Sequence, residues 1–304
     1  MRLGGLDEVG MKLTEHLAPL FADDPLILVD IGARWGLDAR WAPFGASIRA
    51  FCFEADAPEC ARLNGMAQPG VTFIPLAIAG KAGKATLYQT KFSASTGLYR
   101  TNEAFFNRLL NADNATLLST TEVDTVTLDQ ARERYEIPNP DFLKLDVEGA
   151  ELDIMRAANL GGTLGVYTEF RFHSEINGSP PWSETDQHLR KRGFMLYDMW
   201  CGKQSRKGLP HPGPRLCTPA GERFFASTNG GQIMDGDALY FRDPLRLRLN
   251  RNQILKAACM LDVFGLTDCA AELLIDREKD AGVDLVECLD ILAGGSYRKF
   301  MESY

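Results

Sequence analysis

The sequence predicts an α/β protein built on a doubly wound sheet and followed by a helical appendage. Three observations point there. The apolar run at 26–31 is continuous, as in a strand buried on both faces of a parallel sheet, and 142–145 and 164–170 are further short strand-like runs that end in acids. Helical patterns alternate with these runs, as a succession of βαβ units requires. Beyond residue 244 the spacing becomes wholly helical.

The first helix is expected over 6–21, where Leu6, Val9, Leu13, Leu17 and Leu20 recur at three and four. Asp24-Pro25 breaks it. A strand at 26–31 turns through Gly32-Ala-Arg-Trp-Gly36 into a helix at 37–41. Strand 48–54 and helix 58–66 follow, then strand 71–79 and an additional strand at 85–89. Segment 91–118 is polar and aperiodic, with a short helix near Phe105, Phe106, Leu109 and Leu110, and reads as a lid. Within it, Ser93-Ala-Ser-Thr-Gly97 is either a flap over a ligand or a surface loop.

Strand 122–128 leads to helix 128–135, strand 142–145 to a helix ending near 158, and strand 164–170 to a helix ending at 192. Ser183-Glu-Thr-Asp186 resembles a capping box for that last helix. A strand at 194–200 precedes 201–231, which is rich in Gly and Pro and reads as an insertion or long loop. The last strand is 238–241. In the tail, helices are expected near 254–266, 270–275 and 286–292. Their apolar faces suit either docking on the sheet or self-association into a homo-oligomer.

Composition narrows the function. The 304 residues allow one large domain or two, with ample material for a core. A net charge of −8 gives no basic footprint, so nucleic acid is not an expected partner. The seven cysteines are odd in number and scattered without a Cys-x-x-Cys, so neither a disulfide framework nor a zinc site is expected. No secretory signal and no apolar stretch of about 18 residues is present, so a cytoplasmic protein without a membrane span is expected.

The chemistry-bearing residues sit at the carboxyl ends of strands, where open α/β sheets place their ligands. Asp30-x-Gly32-x-x-x-Gly36 ends the first strand and opens a helix. Glycines there let the backbone turn tightly and approach a ligand, although the order is not that of a dinucleotide fingerprint. Glu54 ends the second strand, 24 positions after Asp30. A carboxylate at that tip can accept hydrogen bonds from both hydroxyls of a nucleoside ribose; a solvated glutamate is the plainer reading. The run 141–151 ends a strand in Asp146 and continues through Glu148, Gly149 and Glu151 into a helix. Acids in a first helical turn also serve the helix itself, and Glu151 is read that way.

These stretches together resemble the class I S-adenosylmethionine methyltransferases, and more narrowly the FkbM family. The carrying motifs are Val29-Asp30-Ile31-Gly32-Ala33, Phe53-Glu54-Ala55-Asp56 and Lys144-Leu145-Asp146-Val147-Glu148-Gly149-Ala150-Glu151. Thr127-Leu128-Asp129 and Gly193-Phe194 also match, and the resemblance covers roughly 26–241. It implies a Rossmann-like sheet of seven strands, one antiparallel, with S-adenosylmethionine across the strand tips. It also divides the chain into an N-terminal helix (1–25), a methyltransferase domain (26–243) and a helical extension (244–304). Pro75 and segment 43–47 depart from the family pattern, and 201–231 and the tail lie outside the family core.

The resemblance places Gly32, Ala33 and Gly36 under the methionine portion of the cofactor, with Asp30 orienting that loop or the amino group. Glu54 would hold the ribose, with Ala55 also in the cofactor site, and Ala77 or Ile78 would lie near adenine unless they are simply core. Transfer to an alcohol needs alignment of the acceptor and a base in hydrogen-bond reach. Asp146 is the first candidate, unless it binds the methionine amino group. Glu148 and Glu169 follow as base or as ligands of acceptor hydroxyls, and His173 is an alternative base. Lys144 is expected to pair with a carboxylate, because a buried amine without a partner is costly. Oxygen ligands of this kind suit Mg²⁺ or Mn²⁺, but no metal is expected. Tyr167, Phe172, Trp182 and Trp200 are expected either to line an acceptor pocket or to fill the core.

The expected activity is O-methylation of a hydroxyl on a glycan, glycolipid or secondary metabolite. An N-methyltransferase is one alternative. A non-catalytic assembly protein that keeps the sheet and uses its tail for contacts is another.

Overall fold

A computed structural model describes residues 12–208, 215–217, 223–225 and 231–298. Helix α1 (Lys12–Leu17) runs into a 3-10 turn, Ala18–Phe21; the 6–11 part of the expected helix lies outside the described residues. Strand β1 (Leu26–Ile31) is buried at every position, which explains its unbroken apolar run. A 3-10 segment, Ala39–Ser47, replaces the helix expected at 37–41 and bends at Gly45. Next come β2 (Ile48–Phe53) and α2 (Ala57–Asn64), the latter capped by the Asp56 carboxylate.

The strand expected at 71–79 is two strands, β3 (Val71–Ile74) and β4 (Ala77–Ile78). Pro75 between them has no N–H for a ladder, and the Leu76 N–H donates back to the Ile74 carbonyl at 2.9 Å. The chain therefore leaves the main sheet. Strand β4 instead joins β5 (Gly83–Thr90) and β6 (Leu117–Val126) in a three-stranded sheet, order β4-β6-β5. The strand expected at 122–128 belongs there too. Short α3 (Glu103–Phe106) lies in the polar segment between β5 and β6.

After α4 (Leu128–Arg134) come β7 (Phe142–Leu145), α5 (Glu151–Ala157), β8 (Gly165–Arg171) and α6 (Trp182–Lys191). Helix α6 has Pro181 at its N-cap and no side-chain cap, so the expected capping box does not form. Pro180-Pro181 delivers the chain extended, and Trp182 anchors the first turn against Phe170 and Phe172. Strand β9 (Phe194–Gln204) is longer than expected, and β10 (Arg215–Cys217) pairs antiparallel with β11 (Arg223–Phe225). The described part of 201–231 thus contains ladder as well as loop. Strand β12 (Gln232–Arg242) starts six positions before the expected 238.

The main sheet has seven strands in the order β3-β2-β1-β7-β8-β12-β9. Its direction of winding reverses between β1 and β7, the switch point where such sheets bind ligands. Only β12 runs against its neighbours, pairing antiparallel with both β8 and β9. The fold is thus a mixed, mostly parallel α/β sheet of the Rossmann-like kind.

Helices cover both faces. On one, Val29, Leu143, Leu145, Val166 and Tyr240 pack with Leu128, Ile154, Met155 and Leu189. On the other, Leu26, Leu28, Phe142 and Phe241 pack with α1 and with tail helices α7 (Arg251–Val263), α8 (Thr267–Asp276) and α10 (Leu285–Leu292). Short α9 (Glu278–Ala281) links α8 to α10. The tail is stitched to α1 by Asp262, which accepts from the Thr14 N–H at 2.9 Å and hydroxyl at 2.7 Å. No helix among the described residues is long and apolar enough to cross a membrane.

Candidate active site

Opposite residues in neighbouring strands project from the same face of a sheet. The ladders pair Asp30 with Lys144, Lys144 with Tyr167, Glu169 with Asp237, and Arg171 with Asp235. One face of the sheet therefore carries a polar stripe along its carboxyl edge. Strand β12 contributes because it is antiparallel: its beginning, not its end, lies beside the tips of β7 and β8.

At the switch point Lys144 ties two tips together. Its ammonium lies 3.0 Å from Asp30 Oδ1, 3.6 Å from Asp146 Oδ2, and donates to the Gly32 carbonyl at 3.0 Å. Burial works against its charge, but Asp30 and Asp146 overcome it and hold its pKa above the ordinary lysine value. Burial raises the Asp30 pKa despite that partner. The Gly32 and Ala33 N–H groups donate to the Phe53 carbonyl at 3.0 and 3.1 Å, which seats the glycine loop on the β2 tip.

Beside that loop, Glu54 is buried and its pKa is raised by burial. Its Oε1 accepts from the Asp56 N–H at 2.8 Å, with Arg34 of the glycine loop 3.9 Å away. Arg34 donates to Asp56 at 3.0 Å. Glu54 Oε2 carries no hydrogen bond among the described residues and is available to a ligand's hydroxyls. Trp35 packs on Phe92, 6.1 Å between ring centroids, and so joins the glycine loop to the polar segment.

The turn after β7 is tight. Glu148 has φ 59, a left-handed conformation uncommon for a side chain, and Gly149 has φ 110. Glu151 closes the turn by accepting from the Val147 and Gly149 N–H groups, both at 3.0 Å. It is the helix acid the sequence suggested. Gly97, at the end of the 93–97 segment, lies on this turn: a Cβ there would sit 2.8 Å from Glu148 Cβ and 3.1 Å from the Val147 carbonyl oxygen.

Arg171 organises the acids. It donates to Oε2 of both Glu148 and Glu169, the latter at 3.1 Å. Burial opposes the guanidinium charge, and Glu169 and Glu148 more than compensate. Burial pushes Glu148 up to about 7 and Glu169 well above the carboxylate range, Arg171 notwithstanding. Glu175 and Asp237 are likewise pushed up by burial, to about 8 and about 7. Each has an oxygen with no hydrogen bond, Glu175 Oε1 and Asp237 Oδ1.

Glu175 offers a clean pH test. Its folded pKa is above the ordinary 4.5, so the folded state favours the protonated form. The stability this gives is complete below 4.5 and is lost as pH rises through about 8. Between pH 6 and pH 9 the wild type is expected to lose on the order of 2 kcal/mol through this group. Glu175→Gln should escape that loss. Urea melts at the two pH values check it; an equal pH dependence in both proteins would rule out Glu175 as the source.

The structure gathers Asp30, Gly32, Ala33, Gly36, Glu54, Ala55 and Asp146 at the tips of β1, β2 and β7, and Glu148 and Glu169 beside them. Ala77 is elsewhere, paired with Thr125 in the small sheet. His173 has bonds to the Ile233 carbonyl and Gln232 and stacks on Phe105, rather than bonding to the acids. The four aromatics divide. Tyr167 packs with Phe264 on the tail-covered face, Phe172 and Trp182 pack with Phe170 on the other, and Trp200, opposite Asp237 in the β9–β12 ladder, is exposed. Sequence reasoning missed Arg171, Glu175, Asp235 and Asp237 as site residues. The available signal was parity: Arg171 is two positions from Glu169 in one strand, hence on its face.

No curated protein matches the sequence. Solved structures similar to it include a precorrin-6y C5,15-methyltransferase from Geobacter metallireducens GS-15, with 11% identity, 80% of this chain and 91% of that one covered, and a TM-score of 0.34. Another is TrmK of M. capricolum in complex with S-adenosylhomocysteine, at 8% identity, 95% and 96% coverage, and a TM-score of 0.34. A third is the 1,6-didemethyltoxoflavin-N1-methyltransferase of Burkholderia thailandensis, at 12% identity, 78% and 79% coverage, and a TM-score of 0.29. The family model for the methyltransferase FkbM domain matches residues 39–196, which include the Glu54 tip, the whole β7–α5 turn and β8. With more than half of its length matched in this way, the chain belongs to the FkbM methyltransferase family.

Proposed function

We propose that this methyltransferase uses S-adenosylmethionine to methylate a hydroxyl of a glycan, glycolipid or secondary metabolite. The observation that carries the reading is the junction of three strand tips, where the Gly32 turn, the free Oε2 of Glu54 and the part-exposed Asp146 meet at the switch point. These residues fit the cofactor's parts. Gly32, Ala33 and Gly36 let its methionine portion approach the backbone, Asp30 holds that loop through Lys144, and Glu54, with Ala55 beside it, takes the ribose hydroxyls. Adenine is left without an assigned partner, since Ala77 lies in the small sheet.

Bound S-adenosylmethionine supplies an electrophilic methyl carbon on a sulfonium. The chain's own work is then alignment and proton transfer. Asp146 is the acceptor-side base in this reading, with Glu148 and Glu169 orienting hydroxyls. The acid-lined edge also disfavours a polyanionic acceptor, which supports a small-molecule or glycan substrate over nucleic acid.

Calorimetry with S-adenosylmethionine tests the assignment. Glu54→Ala should weaken binding at least tenfold, because each hydrogen bond to a charged group is worth roughly 1.5–3 kcal/mol. Absence of binding by the wild type at millimolar cofactor would overturn the proposal.

A further inference from the structure

We propose that Asp146, Glu148 and Glu169 form a binding site for one hard divalent cation of the Mg²⁺ or Mn²⁺ class. One oxygen from each carboxylate lies within 4.8 Å of the other two. Small rotamer changes would close them around an ion with oxygen ligands at about 2.1 Å. The three acids come from two adjacent elements, the β7–α5 turn and β8, so the backbone already brings them together.

Arg171 does not fill this site. It holds only Oε2 of Glu148 and of Glu169, which leaves Oε1 of each without a hydrogen bond among the described residues. Asp146 has an ion pair to Lys144 at 3.6 Å and no hydrogen bond to its carboxylate among the described residues. Arg171 therefore orients the two glutamates, as partners outside a coordination sphere commonly do.

A second, independent observation points to a missing positive partner. Asp237 is 2% exposed; the Tyr167 hydroxyl bears on its carboxyl, but its Oδ1 has no hydrogen bond among the described residues. It stands opposite Glu169 in the β8–β12 ladder, hence on the same face, and after burial the charge acting most on it is that of Asp146. A buried acceptor without a donor is costly. A cation, or water bound to one, supplies what this oxygen lacks. The wider balance agrees: among the described residues eight carboxyls (Asp30, Asp146, Glu148, Glu151, Glu169, Glu175, Asp235, Asp237) gather around the cations Lys144 and Arg171. An ion here would also bind an acceptor hydroxyl and make its proton easier to remove.

The site can be tested without acceptor or methyl donor. The full chain, treated with chelator and dialysed, is titrated with Mn²⁺ by calorimetry. One ion per chain should bind. Both Asp146→Asn and Glu169→Gln should weaken it at least tenfold, while Glu272→Gln, at an exposed position of α8, should not change it. Circular dichroism establishes that each variant is folded; a variant that fails is replaced by Glu148→Gln. No saturable Mn²⁺ binding by the wild type at millimolar ion overturns the proposal, as does binding that the site variants leave within a factor of two. Either result would leave cofactor binding at Glu54 untouched, so the two readings fail separately.

Discussion

Gly32→Ala is expected to cost more than about 3 kcal/mol of stability and to abolish methyl-donor binding. Two effects add at this position. Gly32 has φ +90, where an L side chain is strained, typically by about 1–3 kcal/mol. The new Cβ would also lie 1.8 Å from the Asp146 carbonyl oxygen and 2.8 Å from its carbonyl carbon. Both atoms are backbone, so no rotamer relieves the clash, and the β1 and β7 tips must part. That parting breaks the Lys144 bond to the Gly32 carbonyl and displaces the loop from Phe53. Gly45→Ala is the matched control: φ is +52, and its Cβ would meet nothing within 4 Å. It should lose only the backbone strain, about 1–3 kcal/mol, since φ +52 with ψ −122 is itself a glycine conformation. Urea melts of both variants, with calorimetry of the methyl donor, measure the difference. Losses for the two within 1 kcal/mol of each other would show that contact with Asp146 does not constrain the loop.

The tips of β1, β2 and β7 were legible because a parallel strand announces its end. A continuous apolar run stops at Asp30, Glu54 or Asp146, and a glycine or an acid-rich turn follows. The antiparallel strand gives no such sign. Its functional end is its beginning, where Gln232-Ile-Met-Asp-Gly-Asp237 is polar and glycine-containing without a clear period and looks like loop. Only the apolar half, 238–241, reads as strand, so Asp235 and Asp237 escaped notice. Pro75 was visible, yet its consequence was not: losing one ladder donor diverted Ala77 into another sheet. The tail shows a further limit. Periodicity found its helices, but an apolar stripe does not name what it covers. Here α7 docks on the same sheet and meets α1 through Asp262 and Thr14, 248 positions apart. Parity also separates Tyr167 from Phe172 onto opposite faces, which their grouping as one candidate pocket ignores.

Lys144→Met should destabilise the chain by about 3–5 kcal/mol at neutral pH, the usual result of removing one member of a buried ion pair. Asp30 is 5% exposed, and Lys144 is the cation paired with it. Burial already raises its pKa against the opposing pull of Lys144. Without the ammonium that pKa rises further, so the carboxyl tends to take up a proton in the folded state. The sign follows from linkage: a group with a raised folded pKa contributes stability below its unfolded value and loses it as pH rises through the folded one. The deficit of the Met variant should therefore shrink as pH falls and be largest above neutrality. Met retains much of the lysine stem's apolar volume, which keeps packing out of the comparison. Adding Asp30→Asn removes the orphaned charge, and the double variant should recover about 2 kcal/mol or more. A double-mutant cycle of urea melts at pH 7 measures this. If Lys144→Met and the double variant unfold at the same urea concentration, the cost lies in the lost bond to the Gly32 carbonyl and not in the charge left on Asp30.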